Sequence, residues 1–204
     1  MPPRTFLATN NAHKASELAA LWRSGGGPGE LLSARACGGM PEVEETGQTF
    51  GDNALLKARA LLKQLEPGTY ALADDSGLEV DALNGAPGLY SARYAGPTAT
   101  DLDNLRFLLE NMRTVPDARR TARFRCTLCL LDATGQTWFF EGSCEGHILR
   151  ESQGSEGFGY DPVFQPEGFH QSFASLGASV KSRLSHRARA LQNLIARWPG
   201  PPEG

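Results

Sequence analysis

The fold that this chain can adopt is limited above all by a short apolar run that ends in two adjacent carboxylates. Residues 70–73 have the length and composition of a buried strand, and Asp74, Asp75 and the Ser-Gly pair at 76–77 follow at once. Because Asp, Ser and Gly favour turns, the sequence predicts that the strand ends here and that both carboxylates lie in its C-terminal loop. Ligand sites of open α/β sheets lie at such loops.

The paired carboxylates are a candidate metal site. Neighbouring carboxylates repel each other unless a cation or a shared proton relieves the repulsion, and Mg2+ prefers carboxylate oxygens. Asp74 and Asp75 could therefore bind a divalent cation, or they could lie in a solvated turn. An acidic cluster at Glu42, Glu44 and Glu45 could supply a further carboxylate. The spacing leaves open whether Glu44 or Glu45 does so.

Size and charge limit the classes of protein that this chain can belong to. With 204 residues and 40% hydrophobic residues, it can bury one substantial core. The net charge of −3 provides no global basic field for a nucleic acid polymer. No apolar run reaches the length of a membrane span, and residues 1–14 lack the apolar segment of a signal peptide. We therefore expect a cytoplasmic protein with no membrane partner.

The cysteines do not form a disulfide framework in this interpretation. Cys126 and Cys129 make a C-x-x-C pattern, but it lies inside an apolar, strand-like run. Positions three apart on a strand point to opposite faces, so the two thiols could not share a metal or form an easy disulfide. We expect buried, reduced thiols.

Two predicted helices begin with basic residues. Asn10 or Asn11 can cap the first helix, with Lys14 in its first turn, and the last helix opens at Ser185 with His186 and Arg187 in its first turn. Cations oppose the dipole at a helix start unless an anion faces them. Each start is thus either an anion site or an ordinary cap with exposed cations.

Two further segments are candidates for ligand contact. Asp52 is predicted to cap a helix over residues 53–65, which places Lys57 near its start, where it is either exposed or in contact with a phosphate. Residues 152–162 interleave glycines with Phe158 and Tyr160. Glycines let a backbone approach a ligand and an aromatic ring can stack on a base, although such loops are also common surface turns.

The order of elements indicates an α/β fold with a mixed β-sheet flanked by helices. Strand and helix units of the parallel type precede a predicted hairpin of residues 122–131 and 137–144. A helix starting at Thr100 or Asp101 has leucines on one face, at 102, 105, 108 and 109. Neither a P-loop motif nor a Rossmann glycine motif occurs.

Five motifs in a fixed order resemble the inosine triphosphate pyrophosphatase family, also called the Ham1 or RdgB type. They are TNNAHKASEL, EETGQTFGDNALLKARA, ADDSGLEVDALNGAPGLYSARYAG, GFGYDPVF and KSRLSHRARAL. The chain departs from the family pattern at Asn10, where bacterial members commonly have glycine, and at Ser182, where asparagine often occurs. Neither change removes a charged group.

The resemblance implies a Mg2+-dependent hydrolase that converts the deaminated purine nucleoside triphosphates ITP, dITP and XTP to the monophosphate and pyrophosphate. It also implies an elongated, two-lobed domain over residues 1–198 with a central nucleotide-binding cleft, and a homodimer. Residues 199–204 are predicted from the sequence to be a disordered tail. Two alternatives are a pyrophosphatase for other altered nucleotides and a catalytically silent nucleotide sensor.

The resemblance also implies roles for individual residues. Asp75 would be the general base and a metal ligand, with Glu44 as the second ligand and Asp74 in support. Ser76 would contact the substrate. The triphosphate would be held by Thr9, Asn11, Lys14 and Lys57, in a substrate-binding segment that also contains Asn10, Ala12 and His13. The base would be enclosed by Phe158, Gly159, Tyr160, Asp161, Lys181, His186 and Arg187.

Overall fold

The computed structural model of the protein describes residues 4–200, so most of the predicted tail lies outside the described residues. Six strands form one sheet in the order β2-β1-β3-β4-β5-β6. The strands are β1 (Arg4–Leu7), β2 (Glu30–Ser33), β3 (Thr69–Val80), β4 (Thr121–Asp132), β5 (Thr137–Ile148) and β6 (Phe164–Pro166). The α-helices are α1 (Ala12–Ser24), α2 (Phe50–Leu62), α3 (Asp101–Asn111), α4 (Phe173–Leu176), α5 (Ala178–Leu184) and α6 (His186–Ala196).

The sheet is mixed, as predicted. Strand β1 pairs in parallel with β2 and β3, whereas β5 pairs antiparallel with β6. The predicted hairpin is β4 and β5, which are neighbours in the sheet and are joined by a tight turn. In this turn the Asp132 carboxylate accepts hydrogen bonds from the backbone N–H groups of Thr134 and Gln136. The α/β class is therefore confirmed.

The predicted loop at the paired aspartates is wrong. Strand β3 continues without a break from Thr69 through Asp74 and Asp75 to Val80. The turn preference of Asp-Asp-Ser-Gly is overridden because both carboxylates are buried and are paired with cations of other elements. Successive residues of a strand point to opposite faces, so Asp74 and Asp75 lie on opposite sides of the sheet. They are not two members of one loop.

The chain divides into two compact units. The first comprises residues up to Asp75, Cys126–Gly142 and the residues from Arg187 onward. Its sheet is covered on both faces. One buried cluster joins Tyr70 and Leu72 of β3 to α1 and α6, and the other joins the intervening alanines of β3 to α2. Alternate residues of one strand thus pack in two separate cores.

The second unit comprises Ser76–Arg125 and Ser143–His186. Its core gathers Leu105, Leu108 and Met112 at helix α3 with apolar residues of the strands and of the segment after β5. Leu102, which the predicted apolar face included, is instead 52% exposed. The helix begins after the cap Thr100, as predicted.

The predicted start and end of helix α2 are corrected by the structure. Helix α2 is capped by Thr49 and not by Asp52, because the Thr49 hydroxyl accepts from the Asp52 N–H while the Asp52 carboxylate accepts from the Thr49 N–H. The helix therefore begins three residues earlier than predicted and ends at Leu62. The second strand ends at Ser33, since a 3-10 helix follows over Ala34–Cys37.

Three of the four cysteines are buried as predicted, whereas Cys37 is only partly buried. All four cysteines are free, and Cys126 and Cys129 pack in the two different clusters on opposite faces of the sheet. Among residues 4–200, none of the helices combines the length and the apolar content that crossing a bilayer requires.

Candidate active site

A buried carboxylate, Asp74, is the first centre of charge in the first unit. Its side chain is fully buried, and its Oδ1 accepts a hydrogen bond of 2.6 Å from Lys14 Nζ. Its Oδ2 lies 3.3 Å from Arg187 Nε and 3.1 Å from Cys126 Sγ. Asp74 is therefore held by two cations and one thiol.

The two cations reach Asp74 because two helices start beside it. Asn11 caps α1 by accepting from the N–H groups of His13 and Lys14, which places Lys14 in the first turn. Arg187 is the second residue of α6 and also pairs with Glu17 at 3.1 Å. The anion expected at these helix starts is thus supplied, in this structure, by carboxylates of the protein itself.

Asp75 has a separate set of partners on the other face of the sheet. Its Oδ1 lies 2.8 Å from Lys57 Nζ and its Oδ2 accepts from the Asn53 amide at 3.3 Å. Asn53 and Lys57 are four residues apart on α2, so both side chains face β3. Sequence reasoning missed Asn53, although this spacing relative to Lys57 was a readable signal.

The acidic loop is tied to the same place. Lys57 Nζ also contacts Glu45 at 3.3 Å, so one ammonium bridges two carboxylates. The side-chain Oδ1 of Asn53 accepts a hydrogen bond from the Gly47 N–H at 2.8 Å, which fixes the acidic loop to α2. Glu44 is exposed. Of the two candidate glutamates, Glu45 is the one that shares a cation with Asp75.

The two aspartates differ in acidity. Burial alone would raise the pKa of Asp74, but the charges of Lys14 and Arg187 outweigh it and hold that pKa far below its usual range. Burial raises the pKa of Asp75, and Lys57 only partly offsets this effect. Burial opposes the charge on Lys57, yet three nearby carboxylates raise its pKa overall. Asp75 is therefore the carboxylate that accepts a proton more readily.

The donor set around Asp75 fits a magnesium ion. Asp75 and Glu45 supply carboxylate oxygens, and the ammonium of Lys57 shows that a cation is stabilised between them. Within residues 4–200, no group of three or more acidic, His or Cys side chains is placed to ligate a metal. Mg2+ commonly takes one or two carboxylates and completes its shell with water and substrate phosphates, so two protein ligands suffice.

The predicted phosphate-binding loop lines a cavity of the first unit. This cavity has a volume of about 430 Å3 and is lined by Thr9, Asn10, Asn11 and Ala12, with Arg35 also in the lining. The Thr9 hydroxyl accepts from the Asn11 N–H at 3.1 Å, which orders the loop. His13, the next residue, is exposed.

The second unit contains most of the predicted base-binding residues. Lys181 Nζ lies 2.6 Å from Asp161 Oδ2 and 4.6 Å from the centre of the Phe158 ring. The same Oδ2 accepts from the Phe158 N–H at 2.9 Å. Gly157 is required here, because an added Cβ would lie 2.2 Å from this oxygen and its φ is +81°. One carboxylate thus orders both the aromatic loop and the lysine.

The remaining residues of this set have structural partners. The buried Tyr160 packs in the core of the second unit and donates its hydroxyl proton to the Ser91 carbonyl at 2.8 Å. Gly159 donates its N–H to Asp101. The His186 ring stacks on Phe124, with ring centres 4.8 Å apart and planes inclined by 15°. No sequence signal distinguished Phe124 from other core residues.

The predicted residues therefore form two contact groups in the first unit and one set in the second unit. Lys14, Asp74 and Arg187 form one contact group in the first unit, and Lys57, Asp75 and Glu45 form another there. The set around Lys181 belongs to the second unit, as do His186 and Ser76, which is partly buried directly after Asp75.

Comparison with known proteins identifies the family. The model of the Ham1 family matches residues 5–197. A dITP/XTP pyrophosphatase of Opitutus terrae is 53% identical over 199 residues, which is 96% of this chain and 98% of that protein. One of Desulforamulus reducens is 50% identical over 192 residues, covering 94% of each chain.

Solved structures agree with this result. A HAM1 protein of Coxiella burnetii matches with a TM-score of 0.83 and 38% identity, covering 95% of this chain and 97% of that one. A nucleoside-triphosphatase and dITP/XTP pyrophosphatase of Mycobacterium abscessus matches with a TM-score of 0.74 and 41% identity, over 94% and 97%. By its sequence over nearly the whole length and by its fold, this chain belongs to the Ham1 family.

Proposed function

We propose that this protein is a dITP/XTP pyrophosphatase, which hydrolyses deaminated purine nucleoside triphosphates to the monophosphate and pyrophosphate. The observation that carries the proposal is the pairing of Asp75 with Lys57 and Asn53, in a chain that matches such enzymes over nearly its whole length. The reaction adds water across the anhydride bond between the α and β phosphates.

In this proposal Asp75 is the general base that takes a proton from the attacking water. Its raised pKa suits that role, because a base is most effective when its pKa approaches the working pH. Lys14 and Lys57 would donate to phosphate oxygens as negative charge grows on the leaving pyrophosphate. An ammonium has three N–H donors, so a lysine that is held by a carboxylate can also serve a phosphate.

Magnesium belongs to the proposal as the cofactor. Asp75 and a carboxylate of the acidic loop would hold it, with Glu45 favoured by its contact to Lys57 and Glu44 by the family resemblance. When bound, the ion would supply charge neutralisation at the phosphates and lower the pKa of a nearby water. Asp74 would support this site by fixing Lys14 and Arg187.

The base would be recognised by the aromatic loop and by the basic residues that the family resemblance names. Inosine and xanthine carry an acceptor oxygen at C6, where adenine carries an amino donor. Donors from Lys181, His186 or Arg187 would therefore favour the deaminated bases. Leaving one such donor unpaired costs about 1–3 kcal/mol, or roughly ten- to a hundredfold in affinity. The two-lobed cleft and the homodimer implied by the family stay predictions.

The test is a substrate panel with Mg2+. Purified protein is given ITP, dITP, XTP, ATP, GTP and dTTP, and pyrophosphate and orthophosphate are measured separately. We expect pyrophosphate from the first three at rates at least tenfold above those for ATP. Orthophosphate released stepwise would contradict the proposed bond cleavage. Preference for a non-purine or otherwise altered nucleotide would favour the alternative substrate class, and binding without hydrolysis would indicate a sensor.

His186→Ala is expected to narrow the preference for ITP over ATP by about tenfold, because it removes one candidate donor to the C6 oxygen. The measurement is kcat/KM for both nucleotides. Phe124→Leu is the matched control, since it removes the ring on which His186 stacks while leaving the imidazole in place. If His186→Ala leaves the ratio unchanged, His186 has no part in base selection.

A further inference from the structure

We propose that Cys126 is a positioning residue of the active site, whose S–H donates to Asp74 and so fixes the carboxylate that holds Lys14 and Arg187. This inference rests on the proposed function for its kinetic consequence only. The hydrogen bond and its effect on folding are properties of the chain alone. Cys126 contacts neither substrate nor metal in this proposal.

The contact is a short one between two buried groups. Cys126 is 1% exposed and its Sγ lies 3.1 Å from Asp74 Oδ2. The residues come from neighbouring strands, β4 and β3, whose backbones are held by the sheet. The thiol is therefore presented to the carboxylate by rigid elements, whereas Lys14 reaches it through a flexible side chain.

The thiol can act only as a donor at this place. Asp74 is a carboxylate, and an ionised carboxylate accepts hydrogen bonds but has none to donate. Burial, and after it the negative charge of Asp74, raises the pKa of Cys126 well above its ordinary value. The sulfur consequently stays protonated at neutral pH. Its S–H satisfies an acceptor site that water does not reach.

Loss of the Cys126 thiol would affect the two cations that Asp74 holds, Lys14 and Arg187. Oδ2 is shared between Cys126 and Arg187 Nε, and Oδ1 is bound by Lys14 Nζ. If the thiol is removed, a buried acceptor loses a donor, and the carboxylate can rotate to compensate. Such a rotation would move the two cations that the proposed function assigns to the substrate. A displacement of about 1 Å in a group that positions the substrate can lower the rate by about a hundredfold.

The chain contains a matched control in the same strand. Cys129 is also fully buried on β4, but it lies on the opposite face among apolar side chains such as Ala71, Ala73 and Leu131. Burial raises its pKa to about 12. Substitution by alanine removes the same sulfur atom at either position. Only at position 126 does the removal also take a hydrogen bond from a carboxylate.

The experiment compares alanine and serine at both positions. Serine keeps a donor at nearly the same place, so Cys126→Ser should retain kcat/KM within about threefold, whereas Cys126→Ala should lose about tenfold. Cys126→Ser should also be more stable than Cys126→Ala. At position 129 we expect Cys129→Ala to be more stable than Cys129→Ser, because a hydroxyl group in an apolar core is less favourable than a methyl group. Unfolding midpoints and kcat/KM for dITP are measured for all four variants.

A spectroscopic measurement makes the result independent of turnover. The S–H stretching band of Cys126, identified by its loss in Cys126→Ala, should lie at lower frequency than that of Cys129 and should shift upward in Asp74→Asn. If the wild type hydrolyses no nucleotide, the proposed function fails while the band and the stability order still decide the role of Cys126. Equal losses for both alanine variants, or an unshifted band, would overturn the inference.

Discussion

Replacing Asp75 with asparagine is expected to lower kcat by about 10²- to 10⁴-fold while the protein stays folded, because the change removes the general base and keeps the shape of the side chain. The hydrogen bond from the Asn53 amide to Asp75 and the contact of Lys57 with Glu45 show how well this position is supported by neighbours. Single-turnover hydrolysis of dITP measures the loss.

The stability of this variant should be equal to or above that of the wild type. A carboxyl group whose pKa is raised on folding destabilises the folded state at any pH where it is ionised, and burial raises the pKa of Asp75. A neutral asparagine avoids that cost. Thermal unfolding provides the check. A variant that is folded and still turns over at the wild-type rate would remove Asp75 from the mechanism.

The same substitution one residue earlier is expected to act on folding. Asp74→Asn should lower the free energy of unfolding by about 3–5 kcal/mol, because it removes the counter-charge of Lys14 and leaves the buried Arg187 with Glu17 alone. For a chain of this size, that corresponds to a fall in the unfolding midpoint of roughly 10 °C. The stability change of Asp74→Asn has the opposite sign to that of Asp75→Asn, because the two cations lower the pKa of Asp74 strongly and so favour the folded state when Asp74 is ionised.

Each of the two asparagine variants is the matched control for the other. The chemical change is identical and the positions are adjacent, so differences in chain composition or unfolded-state behaviour largely cancel. Urea unfolding of both proteins gives the comparison. If Asp74→Asn unfolds at the same midpoint as the wild type, then the ion pairs of Asp74 with Lys14 and Arg187 do not stabilise the fold.

Local features of the chain were predictable to the extent that their causes are local. Helix α1 was predicted with a cap at Asn10 or Asn11, and Asn11 is the residue that caps it. The separation of Cys126 from Cys129 followed from the alternation of side chains on a strand. The cap of α2 was misplaced because Asp52, a residue type that often caps helices, is instead the third helical residue of a reciprocal capping box whose cap is Thr49.

The sequence indicated candidate residues of the site but not their arrangement. The ordered motifs marked Asp74, Asp75, Lys14 and Arg187. They did not indicate that the two aspartates point to opposite faces, that Asn53 holds Asp75, or that a thiol reaches Asp74. Each of these contacts joins different elements of the fold. The spacing of Asn53 and Lys57 shows that they share one face of α2, but it does not show which strand that face meets.

Composition, periodicity and the order of motifs were sufficient to identify the family, the α/β class and the charged residues. The roles of Asp74 as a buried counter-ion and of Asp75 as the more basic carboxylate became clear in the folded protein, because the partners of Asp74 lie 60 and 113 residues away along the chain. Those cations favour the ionised form of Asp74 and allow it to be buried within a continuous strand.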